Sequence, residues 1–239
     1  MLNLNKIFIY DYETDHKEAA LANPVDFAAK VYDPRLLTPI PDGEFQSFCR
    51  PPDIDEPDYK EKHIETLEWH SDKKNKMPID DIIAIWKTYP NEKLVWEQFV
   101  TFIKKYNNDQ KRKSAFSGPI RAGWNIISYD NIITNRLCQK YGNSSKTQEQ
   151  NLFHPRDIID GLNLSFYWFE NLGGENSPAY YNMDYLREYF GLKSTNTHTA
   201  LTDVRDSGVI IIKFLQLHRR FSKGIAFKNA LVNHVETES

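Results

Sequence analysis

The chain has 239 residues, a formal net charge of −3 and 26% charged residues. This near balance argues against a general polyanion binder, although net charge averages over faces that can differ in sign. Cys49 and Cys138 are far apart, with no histidine or cysteine at ligand spacing, which argues against a disulfide framework and a zinc site. Without a signal-like start or a long apolar stretch, the sequence predicts a cytoplasmic protein that does not enter membranes.

The length accommodates one α/β domain, because a chain of this size buries enough surface to fold without covalent cross-links. We expect a single domain over residues 1–239, with a folded core at about residues 5–221 and a C-terminal tail at about residues 222–239. A basic run at residues 104–121 has two interpretations. It is either a solvated loop or a surface that binds the phosphate groups along a nucleic-acid strand.

Three strands are predicted near the start of the chain. Residues 6–12 (KIFIYDY) form an apolar, β-rich run that predicts a buried strand delivering two acids to its end. Residues 27–32 and 44–49 have the same character. Residues 16–24 are too many for a two-residue hairpin turn, so we expect a loop beside the acids.

Helical patterns dominate the rest of the sequence and alternate with two short strands, predicted at residues 120–124 and 156–159. Apolar residues at helical spacing, with capping and breaker residues at the ends, mark each helix. The predicted helices cover residues 78–89, 92–106, 131–141, 162–171, 184–190 and 200–221.

Two carboxylates stand together at the end of the first predicted strand. Alternation along a strand puts Asp11 and Glu13 on one face, about 7 Å apart, which is close enough to share metal ions. By itself an Asp-x-Glu pair is weak evidence, because strand ends often carry acids that keep a protein soluble.

Two later segments place polar groups near helix starts. Asn125 and Asp130 (GWNIISYD) lie where a strand runs into a helix, and Asp130 has a second interpretation as a simple helix cap. His198 lies on the loop that enters the last helix, and Asp203 follows about one turn inside that helix. Taken alone, His198 also fits an ordinary surface histidine.

Together these segments resemble the DEDD exonuclease superfamily, His subclass. The shared pattern is Asp-x-Glu-Thr after a strand, Asn-x4-Asp before a helix and His-x4-Asp at the last helix, and it spans residues 7–215. Residues 11–29 (DYETDHKEAALANPVDFAA) resemble bacterial exonuclease I, and residues 66–69 (TLEW) resemble a segment of phage exonuclease A.

The resemblance implies a ribonuclease-H-like α/β fold, with a central mixed sheet flanked by helices. It implies two divalent cations, Mg²⁺ or Mn²⁺, which suit carboxylate ligands and together activate water and offset charge on the leaving oxygen. In this family pattern His198 is the general base. The implied metal ligands are Asp11, Glu13, Asp130 and Asp203.

The resemblance also implies a set of substrate contacts. Glu13 and the Thr14 backbone would meet the 3′-hydroxyl of the terminal nucleotide, Phe27 and Trp69 would contact bases, and Asn125 completes the substrate-binding set. For Trp69 the alternative is a partly buried surface aromatic.

The implied activity is 3′→5′ hydrolysis of single-stranded DNA to 5′-mononucleotides. Two alternatives stay open. One is a 3′→5′ exoribonuclease, because the same five catalytic positions serve RNA, and the other is a proofreading or nucleic-acid-binding subunit of a larger assembly.

Overall fold

The computed structural model describes residues 5–108, 115–144, 151–170, 181–192 and 199–225. Within these ranges, five strands form one sheet in the order β3-β2-β1-β4-β5. The strands are β1 (Ile7–Thr14), β2 (Pro24–Tyr32), β3 (Pro39–Phe48), β4 (Ile120–Gly123) and β5 (Ile158–Asp160).

The central strand β1 has one antiparallel and one parallel neighbour. It pairs antiparallel with β2 and parallel with β4, and β4 pairs parallel with β5. Seven of the eight residues of β1 are buried, as expected for a strand covered on both faces. The prediction of a central mixed sheet flanked by helices is confirmed.

Eight α-helices are described, and a π-helical segment (His70–Asn75) continues the second of them. None of the helices in the described ranges is long and apolar enough to cross a membrane. The helices are α1 (Tyr59–Lys62), α2 (Ile64–Trp69), α3 (Ile79–Lys87), α4 (Glu92–Lys104), α5 (Asp130–Lys140), α6 (Gly161–Phe169), α7 (Met183–Tyr189) and α8 (Ala200–Ile225).

The element boundaries differ from the predictions in three instructive places. Strand β1 extends to Thr14, so Asp11 and Glu13 lie inside the strand rather than beyond its end. Strand β2 begins at Pro24, because Pro24 and Asp26 pair with Thr14 and Glu13 at the end of β1. Helix α8 continues to Ile225, four residues past its predicted end, so the predicted tail begins inside the helix.

The two faces of the sheet pack against different helices. On one face, Phe8, Tyr10 and Tyr12 belong to an apolar cluster with residues of α4 and α5. On the other face, Ile7 and Ile9 pack with residues of α8. Since side chains alternate along a strand, Asp11 and Glu13 follow Ile7 and Ile9 onto the α8 face.

Candidate active site

Three predicted ligands meet where β1 ends beneath the start of α8. Asp11, Glu13 and Asp203 each offer a carboxylate oxygen, and these atoms all lie within 4.8 Å of one another. The sheet register places the first two acids, and the first turn of α8 supplies the third. Glu13 is 9% exposed, whereas Asp11 and Asp203 are half-buried.

Asp130 lies behind this cluster rather than inside it. It is the first residue of α5 and is 2% exposed, and its Oδ1 accepts a hydrogen bond from the Tyr12 amide at 3.0 Å. The residue in the capping position is Tyr129, without a side-chain cap bond, so Asp130 is a first-turn acid of α5 rather than its N-cap. Burial raises the pKa of its carboxyl.

The site carries more negative charge than its surroundings offset. Burial raises the pKa of Asp11 well above its usual range, and the charges of Asp130, Glu13 and Asp203 raise it further. Crowded carboxylates out of water repel one another, which favours the protonated form of Asp11. A bound divalent cation would relieve this repulsion, and the oxygen-only donor set is the kind that Mg²⁺ and Mn²⁺ prefer.

Two basic side chains form ion pairs with members of the cluster. The sequence analysis predicted neither of them. Lys74 of the π-helical segment lies with its Nζ 3.1 Å from Glu13 Oε1. Arg187 of α7 is 7% exposed and pairs with Asp203, while its Nε and Nη1 donate to Asp206 and Asp184 at 2.7 and 2.8 Å. Neither residue belongs to a sequence motif, so spacing gave no signal for them.

Asp26 is a further acid of the site, and it was not among the predicted site residues. It pairs directly with Glu13 across β1 and β2, and its Oδ2 accepts a bond from the Ala200 amide at 3.3 Å. Burial raises its pKa to about 6. Asp26 precedes the strand predicted at residues 27–32, and only the observed pairing of β1 with β2 places it on the α8 face.

A pocket of about 340 Å³ opens beside the acids. Trp69 lines it and is 42% exposed. Two hydrogen bonds link residues that line this pocket. Tyr129 donates to the His16 carbonyl at 2.5 Å, and His70 Nε2 donates to the Thr14 carbonyl at 2.9 Å. Thr14, at the end of β1, thus contributes to both the strand and the pocket.

Three other predicted site residues have different outcomes. Phe27 is fully buried, edge-on to Tyr12 with ring centroids 4.9 Å apart, so the predicted base contact by Phe27 is wrong. Asn125 lies in the loop after β4 with φ of 52°, and its carbonyl accepts from the Ser128 amide at 3.2 Å. His198 lies outside the described residues, as does the middle of the basic run at residues 109–114.

Known proteins similar to this chain were found by structure alone. No protein-family model and no curated protein matches the sequence. The structure is similar to that of E. coli exonuclease I in complex with a dT13 oligonucleotide, with a TM-score of 0.61 and 16% identity over 96% of this chain and 46% of that one. A moderately thermophilic exonuclease I from Methylocaldum szegediense gives a TM-score of 0.61 and 19% identity over 93% of this chain and 43% of that one.

These similarities establish the fold. The chain has the ribonuclease-H-like fold of exonuclease I, as predicted, and it spans less than half the length of each of these two proteins. A zinc-bound form of the E. coli exonuclease I complex with single-stranded DNA is similar at a TM-score of 0.57 and 19% identity, over 93% of this chain and 45% of that one.

Proposed function

We propose that this protein is a metal-dependent 3′→5′ exonuclease that hydrolyses single-stranded DNA from its 3′ end to 5′-mononucleotides. The observation that carries the proposal is the meeting of Asp11, Glu13 and Asp203 within 4.8 Å, beside a pocket that Glu13 and Thr14 also line. In a site for hydrolysis of a terminal phosphodiester bond, the acids and the pocket for the last nucleotide must be neighbours.

The metal ligands in this proposal are the clustered carboxylates. Asp11, Glu13 and Asp203 would hold two Mg²⁺ or Mn²⁺ ions, and Asp130 would support them from its buried position behind Asp11. When bound, such ions supply a more acidic water and offset charge on the leaving oxygen. The raised pKa of Asp11 comes first from burial and then from the charges of its acidic neighbours, and it supports this assignment because a cation would balance those charges.

The protein's own groups would bind and orient the strand. Thr14 and Glu13, which line the pocket, would meet the 3′-hydroxyl of the last nucleotide, and the exposed Trp69 ring would stack on its base. His198 would accept the proton of the attacking water, which requires a neutral imidazole near the working pH.

The single-stranded substrate is supported by the similar structures. E. coli exonuclease I is bound to a dT13 oligonucleotide in one of them and to single-stranded DNA in another, which also holds zinc. The similarity to the dT13 complex covers 96% of this chain.

The direction of hydrolysis provides the test. A single strand labelled at its 5′ end should shorten one nucleotide at a time in the presence of Mn²⁺, and a closed single-stranded circle should resist. A 3′-phosphate should stall the reaction, because its charge against Glu13 costs several kcal/mol at an effective dielectric constant of about 20.

An RNA strand of the same sequence belongs in the same experiment. Faster shortening of RNA than of DNA would replace the DNA substrate by RNA while leaving the exonuclease proposal in place. Hydrolysis of the circle at a rate comparable to that of the linear strand would contradict the exonuclease proposal. Absence of hydrolysis of any substrate by the chain alone would favour a subunit that needs a partner.

A further inference from the structure

A row of side chains leads from the acid cluster to the edge of the sheet. Glu13 pairs with Asp26, and Asp26 pairs with Phe48 on the edge strand β3. Directly opposed residues of antiparallel strands point to the same face, so all three side chains lie on the α8 face. With strands about 4.8 Å apart, Phe48 stands about 10 Å from Glu13.

Phe48 forms an exposed aromatic surface at the end of this row. Its ring is 44% exposed, and it stacks on the ring of Tyr89 with centroids 5.0 Å apart and planes inclined by 23°. Tyr89 follows the end of α3, so the two rings come from separate elements. Burial, together with the nearby charge of Asp26, raises the pKa of Tyr89.

The position of this pair complements the pocket that Trp69 lines. That pocket reaches Tyr129, which follows β4 on one side of β1. Phe48 lies on β3, two strands to the other side of β1. The acids of β1 therefore lie between β3, which carries Phe48, and β4, which Tyr129 follows, and in the proposed function these acids mark where the bond between two nucleotides would be cut.

One basic side chain also lies beside this row. Lys74 places its ammonium beside Glu13, and its charge also acts on Asp26. The aromatic pair itself accepts any base, because every base has a π-face.

We propose that Phe48 and Tyr89 form a second base-binding subsite, which takes the base on the 5′ side of the scissile bond in a single-stranded nucleic acid. This inference rests on the proposed exonuclease function. The occupant is a nucleobase rather than an apolar peptide, because the pair lies in one register row with Glu13 of the proposed nuclease site, through Asp26.

The experiment compares ring-retaining and ring-removing variants. Oligonucleotides with 2-aminopurine at the last, second-last or third-last position are titrated into parent, Phe48→Trp and Phe48→Leu proteins, each in an Asp203→Asn background that prevents digestion. We expect Phe48→Leu to bind the oligonucleotides about tenfold more weakly, since stacking is lost while apolar volume is kept. Its quenching should disappear at the second-last position and persist at the last.

Phe48→Trp should bind and quench like the parent, and Tyr89→Leu should behave like Phe48→Leu. Ile85→Ala is the matched control, because Ile85 of α3 is a similarly exposed apolar residue at 40% exposure, and it should change nothing. Equal affinity and quenching in parent and Phe48→Leu would overturn the subsite while the exonuclease proposal stands. A parent that binds no oligonucleotide would overturn both.

Discussion

The carboxylate of Asp130 accepts a hydrogen bond from the backbone amide of Tyr12, the residue between Asp11 and Glu13. This bond ties the start of α5 to the strand that carries two acids of the site. Because the Tyr12 amide is buried, loss of its acceptor leaves an unsatisfied donor. Asp130 therefore has a structural contact that can be separated from its charge.

We expect Asp130→Asn to retain the bond to Tyr12, to fold with at least the stability of the parent and to lose most nuclease activity. Asp130→Ala should lose the activity and, in addition, roughly 1–3 kcal/mol of unfolding free energy. Urea denaturation and the strand-shortening assay on both variants measure the two effects. Equal stabilities of the two variants would show that the Tyr12 bond contributes little.

Removal of a charge from the acid cluster should separate catalysis from folding. Asp11→Asn and Asp203→Asn should abolish hydrolysis with Mn²⁺, because each removes an anionic ligand, while circular dichroism and much of the oligonucleotide binding stay unchanged. In metal-free buffer, Asp11→Asn should melt higher than the parent, since its carboxylate is buried and crowded. Nuclease activity within tenfold of the parent in either variant would sink the metal-ligand assignment.

Two glycines of α8 provide a matched test of how the helix sits on the sheet. A Cβ at Gly208 would lie 2.5 Å from the hydroxyl of the buried Tyr32, whereas a Cβ at Gly224 would meet nothing within 4 Å. Alanine at Gly224 should therefore stabilise the protein by up to about 1 kcal/mol through helix propensity. Alanine at Gly208 should be about 1–3 kcal/mol less stable than that variant, because of overpacking.

Activity provides a second measurement on the same pair. Displacement of α8 at Gly208 moves Asp203 relative to Asp11, so the Gly208→Ala variant should also have a lower rate. Addition of Tyr32→Phe should restore both the stability and the rate by removing the hydroxyl. A Gly208→Ala protein as stable as Gly224→Ala would show that the Tyr32 side chain moves aside at little cost in free energy.

His198 is the residue whose proposed role most needs solution data. If it is the general base, His198→Ala should lower the rate by roughly 10²–10⁴-fold near pH 7, with partial recovery at high pH, where hydroxide replaces water. Affinity for Mn²⁺, measured by calorimetry, should barely change. An unaltered rate at pH 7 would return His198 to the status of an ordinary surface histidine.

His70 should make the protein sensitive to mild acid. Burial lowers its pKa from 6.5 to about 4, so between these values the unfolded chain binds a proton that the folded protein does not. Stability should therefore fall as the pH drops below about 6.5, by about 2 kcal/mol at pH 5 from this residue.

The control is His70→Gln, whose side-chain amide can still donate to the Thr14 carbonyl but does not titrate. Urea denaturation in chelator at pH 7.5 and pH 5 should show a smaller acid loss in this variant, by about 2 kcal/mol. The comparison cancels other groups that titrate in the same range, such as Asp26. An identical acid loss in both proteins would show that His70 is protonated when folded.

How much of the site was predictable depends on the kind of signal each residue carries. Asp11 and Glu13 were predictable because an apolar run ends in two acids at strand spacing. Side chains alternate along a strand, so this spacing puts both acids on one face. Phe27 was misjudged because its register partner is Tyr12, which points to the core. Only the pairing of β1 with β2 reveals which face an aromatic of β2 occupies.

The basic residues illustrate a different limit. Lys74 reaches Glu13 from a π-helical segment, and that rare hydrogen-bonding pattern has no dependable sequence signature. Arg187 joins three aspartates from two helices, which requires the tertiary packing of α7 on α8. Both side chains are determined by contacts between distant segments rather than by local periodicity.

The location of β1 has a consequence for how the proposed nuclease activity would be lost. A strand bonded on both sides exchanges its amide hydrogens only in rare, large openings, whereas the first turn of α8 can open with far fewer broken contacts. Deuterium should therefore enter the helix start around Asp203 long before it enters the amides around Asp11. Inactivation on gentle warming would then begin when Asp203 moves away, while Asp11 and Glu13 keep their positions on β1.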